Sequence, residues 1–262
     1  MEKRVGVALI ERVGRKARPT AAGAELLEHA AQIDAVVAAA FDGMARYAKG
    51  VMGRVKLGTG ATACIFLLPP MLRDLRERFP TLEITVSTGN TADVVKAVED
   101  NIIDIGFVTM PASGRALEIM PVLQDEFVLI APPTMSLPKR VTPSVVATLP
   151  VLLFEQGGHT RRIADEWFAR GGVALKPVMS LGSVEAIKQL VDAGLGCAVL
   201  PSMAVRSDRH RGELVVRSLT PRLYRTLAIV IRRDKPLHRG LKEIIRALNE
   251  VCGAASLSEA VR

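Results

Sequence analysis

The stretch that most constrains this chain is residues 82–109, LEITVSTGNTADVVKAVEDNIIDIGFVT. Leu82, Ile84 and Val86 alternate with polar residues, the spacing of a strand. After the polar loop STGNT, Val94, Val95, Val98 and Ile102 recur at helical spacing, with Asp93 in the first turn where the helix dipole favours negative charge. Ile103, Ile105 and Phe107 then resume the alternation. A strand–helix–strand unit implies a parallel pair whose loops lie at the carboxyl ends of the strands. Thr91 stands where an N-cap belongs, which would put its hydroxyl at a helix N-terminus, a ready site for an anion.

The same grammar runs through the rest of the chain. ALIERVGRKARP (residues 8–19) reads as a hairpin around Gly14, and Thr20 caps an Ala-rich helix over residues 21–48. Its stripe of Leu26, Leu27, Ile33, Val37 and Phe41 needs a partner, and a second copy of itself is the simplest. Residues 49–53 form a hinge. Val55 and Leu57 begin a strand, GTGAT a loop, and Leu67 to Phe79 one helix ending before Pro80. EFVLIA (126–131) is a strand, and the Pro-rich residues 132–143 a boundary. VLLF (151–154), a helix over 161–170, PVMSL, a helix capped by Ser183 and ended near Gly194, and CAVLP repeat the unit. LAIVI (227–231) and a closing helix with Leu241, Ile244, Leu248 and Val251 complete it, before a tail expected to fray. Two α/β halves thus offer hydroxyl-bearing loops at strand ends, where a small ligand can sit.

Composition removes several classes of function. Aromatic residues are 4% of 262, too few for a surface that stacks single-stranded nucleic acid. No run of about 18 apolar residues occurs, so no membrane span is expected. MEKRVGVALIERVGRK is not a secretory signal, which points to the cytoplasm. Cys64, Cys197 and Cys252 are unpatterned, and His29, His210 and His238 match no ligand spacing, so neither metal nor cofactor is expected. Cys64, at a helix start, admits a redox role beside that of an inert thiol.

The net charge of +8 is uneven. Residues 1–18 hold six basic and two acidic side chains, net +4; residues 206–233 hold eight Arg against Asp208 and Glu213, net +6. The hairpin tip suits contact with DNA phosphates, which positions a protein without reading sequence. The second cluster is read as a solvated face.

Three segments resemble the LysR-type transcriptional regulators. VGVALIERVGRKARPTAAG is similar to the family's wing hairpin and the start of its linker helix. Residues 58–108, beginning GTGATACIFLLPP, resemble its first effector-binding subdomain, and GSVEAIKQLVDAGLGCAVLP its second. The resemblance implies an α/β, two-lobed, periplasmic-binding-protein-like (type II) effector domain, preceded by a wing hairpin and a long linker helix. It implies homodimers or homotetramers, DNA as partner, and a small anionic effector in the cleft between lobes. Carried onto this chain, it places Thr62, Thr91, Thr109, Gly157, His159, Thr160 and Arg161 against the effector. Arg12, Arg15, Lys16 and Arg18 fall on the DNA backbone. Ile10 stands where Phe is usual and Pro19 where Leu is common.

The expected division is residues 1–20 as the remnant of a winged helix-turn-helix and 21–52 as linker and hinge. Residues 53–131 with 232–252 form lobe I, 132–231 lobe II, and 253–262 the frayed tail. Only MEKRV precedes the wing, so a complete recognition helix is missing from this sequence, and as written it is expected to bind DNA weakly. Two alternatives follow: an effector-sensing dimerisation protein without sequence-specific DNA binding, and a solute-binding protein, which the basic wing and the N-terminus disfavour. An enzyme is not expected: there is no GxSxG elbow, phosphate loop, HExxH or dinucleotide fingerprint.

Overall fold

The computed structural model describes residues 1–13, 16–49, 52–206 and 214–260. A single turn of helix, α1 (Glu2–Val5), precedes the hairpin β1 (Ile10–Val13) and β2 (Lys16–Pro19), paired Val13 to Lys16. The Glu2 carboxylate accepts from the N–H groups of Leu9 (2.7 Å) and Ile10 (3.1 Å), fastening α1 to the hairpin. Thr20 caps as expected, its hydroxyl accepting from Gly23 N–H at 3.0 Å, and α2 (Ala21–Lys49) follows for 29 residues. Its apolar stripe is uncovered: Leu27, Ile33, Val37 and Phe41 are 44–64% exposed.

The remaining strands form one sheet in the order β4-β3-β5-β10-β6-β9-β7-β8. In lobe I, β3 (Arg54–Thr59) lies between β4 (Glu83–Thr88) and β5 (Ile105–Thr109), parallel to both. The unit of residues 82–109 therefore yields two parallel strands separated by β3, rather than a direct pair. Its helix, α5 (Thr91–Glu99), ends before Ile102, which is 47% exposed. In lobe II, β7 (Val151–Phe154) lies between β8 (Met179–Leu181) and β9 (Cys197–Pro201), again parallel to both. α7 (His159–Arg170) and α8 (Val184–Asp192) cover it, and α6 (Pro143–Val146) lies beside α7.

Two long strands belong to both lobes. β6 (Leu117–Ala131) and β10 (Val215–Arg232) pair antiparallel over most of their length; β10 also pairs with β5, and β6 with β9. Only their most apolar ends, 126–131 and 227–231, read as strands in sequence, because the polar residues between alternate less regularly. The core divides accordingly. One cluster joins Val55, Leu57, Leu68, Phe107, Ile229 and Leu248; another joins Phe127, Val151, Trp167, Phe168 and Val199.

Two further details differ from the sequence reading. The helix expected from Leu67 to Phe79 is α4 (Leu68–Arg78), and a short helix, α3 (Ala61–Phe66), precedes it and meets it at Leu67. The closing helix, α9 (Arg239–Ala260), continues through residues expected to fray, because Leu248, Cys252 and Ala255 share the turns that face lobe I and are buried. Among the described residues, no helix is long and apolar enough to cross a membrane.

Close packing of α5 on the sheet depends on a pair of glycines in register, Gly58 on β3 and Gly106 on β5. A Cβ on Gly58 would come within 2.4 Å of Ile103 Cδ1, and one on Gly106 within 3.0 Å of Val94 Cγ1. Their bare backbone lets α5 approach and brings its N-terminus over the strand ends.

Candidate functional site

All seven residues expected at the effector line one cleft between the lobes, a cavity of about 470 Å³. Helix starts deliver Thr62, Thr91, His159, Thr160 and Arg161, the end of β5 delivers Thr109, and the loop before α7 delivers Gly157. α3 and α7 begin on Gly60 and Gly158, with no side-chain cap and no acidic residue in the first turn, so first-turn N–H groups of α7 remain open to a ligand. α5 is capped instead by Asn90, whose carbonyl oxygen accepts from Asp93 N–H at 3.0 Å.

The cap on α5 corrects the reading of Thr91. It is the first helical residue, and its hydroxyl donates to the Thr109 carbonyl at 2.9 Å, tying α5 to β5. Thr59 makes the matching link one strand over, donating to the Phe107 carbonyl at 2.8 Å. Thr62 differs from both. Its side chain is 8% exposed, it lines the cleft, and its hydroxyl has no hydrogen-bond partner among the described residues.

On the lobe II side, Gly157 has φ +100°, a conformation natural to glycine, and lets the loop turn into α7. His159 is held below its ordinary pKa, chiefly by burial and secondarily by the Arg162 charge. It is therefore neutral at pH 7 and offers one N–H rather than a positive charge, which moderates the anion-binding role expected of it. Arg161 borders the cleft with its guanidinium committed to lobe II. Nε donates to both Asp165 oxygens at 2.8 and 3.0 Å, and Nη1 to the Phe154 carbonyl and Ser180 hydroxyl.

Among its described residues the basic cluster of 206–233 does not form one solvated face; Arg209 and Arg211 lie outside them. Arg217 and Arg222 are exposed, but Arg232 chelates Asp234 and the Glu99 carbonyl, Arg233 donates to the Leu117 carbonyl, and Arg225 is buried. Arg225 also lines the cleft, and the sequence reading missed it. The signal was present: Leu223, Arg225 and Leu227 alternate onto one face of β10, and all three are buried, so a charge sits in an apolar register. On the hairpin, Arg12 and Arg18 are exposed; Arg15 and the side chain of Lys16 lie outside the described residues.

Burial pushes Cys197 up to about 12 and Cys252 to about 11, so neither is a thiolate at neutral pH. Cys64, on α3, is partly exposed and does not line the cleft.

Residues 48–253 match the family described as the LysR substrate binding domain. The chain belongs to the LysR-type transcriptional regulators. It is 32% identical over 254 residues to the uncharacterized HTH-type transcriptional regulator YeiE of Escherichia coli (strain K12), spanning 94% of this chain and 83% of that protein. It is 28% identical to the HTH-type transcriptional regulator YofA of Bacillus subtilis (strain 168), spanning 96% and 86%. Among solved structures, a full-length OxyR variant from Pseudomonas aeruginosa has the same fold at 21% identity. Its TM-score is 0.71, and the match spans 96% of this chain and 84% of that one. The two-lobed effector domain after a hairpin and linker helix is thus a LysR architecture.

Proposed function

We propose that the inter-lobe cleft is the effector site of this regulator, and that a small anionic metabolite bound there shifts the balance between two arrangements of its DNA-binding ends. One observation carries the reading: seven hydroxyl, glycine and basic residues from both lobes converge on one cavity, beside the open N-terminus of α7 and the unpartnered hydroxyl of Thr62. A ligand touching both lobes favours the closed one by its differential contacts.

Within this reading, residues 53–131 with 232–252 are lobe I, 132–231 lobe II, and 21–52 the linker. The exposed stripe of α2, which continues into an apolar groove beside α1 and the hairpin, serves homodimers or homotetramers. Arg12, Arg15, Lys16 and Arg18 contact DNA phosphates in a chain that carries a complete winged helix-turn-helix. The protein works in the cytoplasm, as a regulator and not an enzyme.

The test is a thermal-shift screen of small organic and inorganic anions, with every ligand that raises Tm titrated by calorimetry. Thr62→Val, which removes a hydroxyl the fold does not use, should weaken such a ligand about tenfold with Tm of the free protein unchanged. Equal affinity in wild type and variant removes Thr62 from the site; a screen without a single cleft ligand removes the site.

A further inference from the structure

Arg225 sits at the floor of the cleft, 3% exposed, directly across the β6–β10 ladder from Asp125. The Asp125 carboxylate is fully used. Oδ1 accepts from the Ser202 hydroxyl and the Met203 N–H, both at 3.1 Å, and Oδ2 accepts from Arg225 Nε at 2.9 Å. The guanidinium is not. Of its five N–H donors, Nε goes to Asp125 and one on Nη1 reaches the Thr160 hydroxyl at 3.3 Å. Nη2 lies 2.8 Å from Asp125 Oδ2, inside the ion pair, yet it is buried without a directed hydrogen bond. The acid is saturated and the base is in surplus.

The surroundings say what would use it. Thr160 belongs to the first turn of α7, so Arg225 is linked to the uncapped helix start that already favours negative charge. The exposed Ala61 and the half-buried Phe154 add apolar surface to the lining. A cavity of about 470 Å³ falls in the range of small-molecule pockets and holds far more than a bare inorganic anion.

We infer that Arg225 anchors the effector and that the effector is an organic acid. Its carboxylate accepts from Nη1 of Arg225 beside the start of α7, and its carbon body lies against the half-buried Phe154. Asp125 is a positioning residue: it holds the Nε and Nη2 side of the guanidinium and so fixes the direction of Nη1, which reaches Thr160 at the cleft. A planar guanidinium fixed on one side by Asp125 aims Nη1 at a carboxylate in a way that a flexible lysine ammonium does not. This inference rests on the cleft being the effector site.

The probes are sodium benzoate and sodium succinate, with benzamide and succinamide as neutral counterparts, titrated calorimetrically and soaked into crystals. In the wild type at least one acid should bind about tenfold or more tighter than its amide, and Arg225→Lys should lower the acid's affinity by about the same factor while leaving the amide's unchanged. The emission of Trp167 verifies that the variant is folded. If it is not, the wild-type soak decides: a carboxylate oxygen lies within hydrogen-bonding distance of Nη1, or the inference falls. An acid bound in the cleft away from Arg225, or unaffected by Arg225→Lys, overturns the anchor and leaves the effector cleft standing. No acid in the cleft at all overturns the organic-acid assignment, while an inorganic anion found there would keep the cleft as an effector site.

Discussion

Asp125→Asn is the sharpest perturbation of this molecule, because the carboxylate is wholly buried and every contact it makes is charge-assisted or directed. An asparagine has one acceptor oxygen. If that oxygen faces Arg225, the amide N–H₂ meets the Ser202 hydroxyl and Met203 N–H; in the other rotamer it meets the guanidinium. Either way donors oppose donors and Arg225 stays charged without its counter-ion. Removing one partner of a buried pair costs about 3–5 kcal/mol. Exposed pairs set the contrast: Arg73 and Glu77, 82% and 65% exposed, form an i,i+4 bridge whose loss through Glu77→Gln costs about 0–0.5 kcal/mol. Urea unfolding followed through Trp167 suits the comparison. It is the chain's one tryptophan, is buried, and donates to the Pro221 carbonyl on β10 at 2.8 Å, four residues from Arg225. With a urea slope of about 1–3 kcal/mol per M, Asp125→Asn should lower the midpoint by roughly 1 M or more. Pairing Asp125→Leu with Arg225→Met should recover much of the loss, since the cost lies in the orphaned charge rather than in the bridge. A midpoint shift no larger than that of Glu77→Gln would refute the reasoning.

Other outcomes follow from the same geometry. Gly106→Ala drives a methyl group into Val94 and Val98 and should destabilise lobe I by about 1–3 kcal/mol, read from the calorimetric Tm. In the native protein a thiol reagent at pH 8 should label Cys64 alone, with Cys197 and Cys252 appearing only on unfolding; native labelling of either buried thiol would refute their burial. The Leu9 and Ile10 N–H groups hold the Glu2 carboxyl below its ordinary value of 4.5. Because the folded value is the lower one, this fastening is complete above 4.5 and is lost as pH falls through the folded value. Amide shifts of Leu9 and Ile10 should titrate in that acid range and stay flat in Glu2→Gln. Ile33→Glu with Phe41→Glu places charge on the uncovered stripe of α2, so sedimentation should show a smaller assembly than wild type; an unchanged mass would mean that α2 is not the interface.

What the sequence disclosed depended on how local its cause was. The hairpin, the Thr20 cap and the strand–helix–strand unit are each set by neighbours a few positions apart, whereas the seven cleft residues followed from the resemblance to the LysR-type regulators. The short-range exceptions are instructive too. Asn90 outcompetes Thr91 for the cap, since Thr91 finds a better acceptor in Thr109, eighteen residues on. The glycine pair at 58 and 106 has meaning only once β3 and β5 lie in register.

The most consequential feature is a long-range one. Asp125 and Arg225 are one hundred residues apart, each in a segment whose polar middle obscured its strand, and only the pairing of β6 with β10 makes them neighbours. Yet a residue-level signal existed, because an arginine between Leu223 and Leu227 in the buried register needs a counter-charge inside the fold. Strands that pass through both lobes are where a ligand can act on both at once. A charge there touches β6 through Asp125, the turn at Ser202 through the same carboxylate, and α7 through Thr160. An acid that draws on Arg225 therefore loads the elements that join the lobes, whereas a contact confined to Thr62 or His159 bears on one lobe alone.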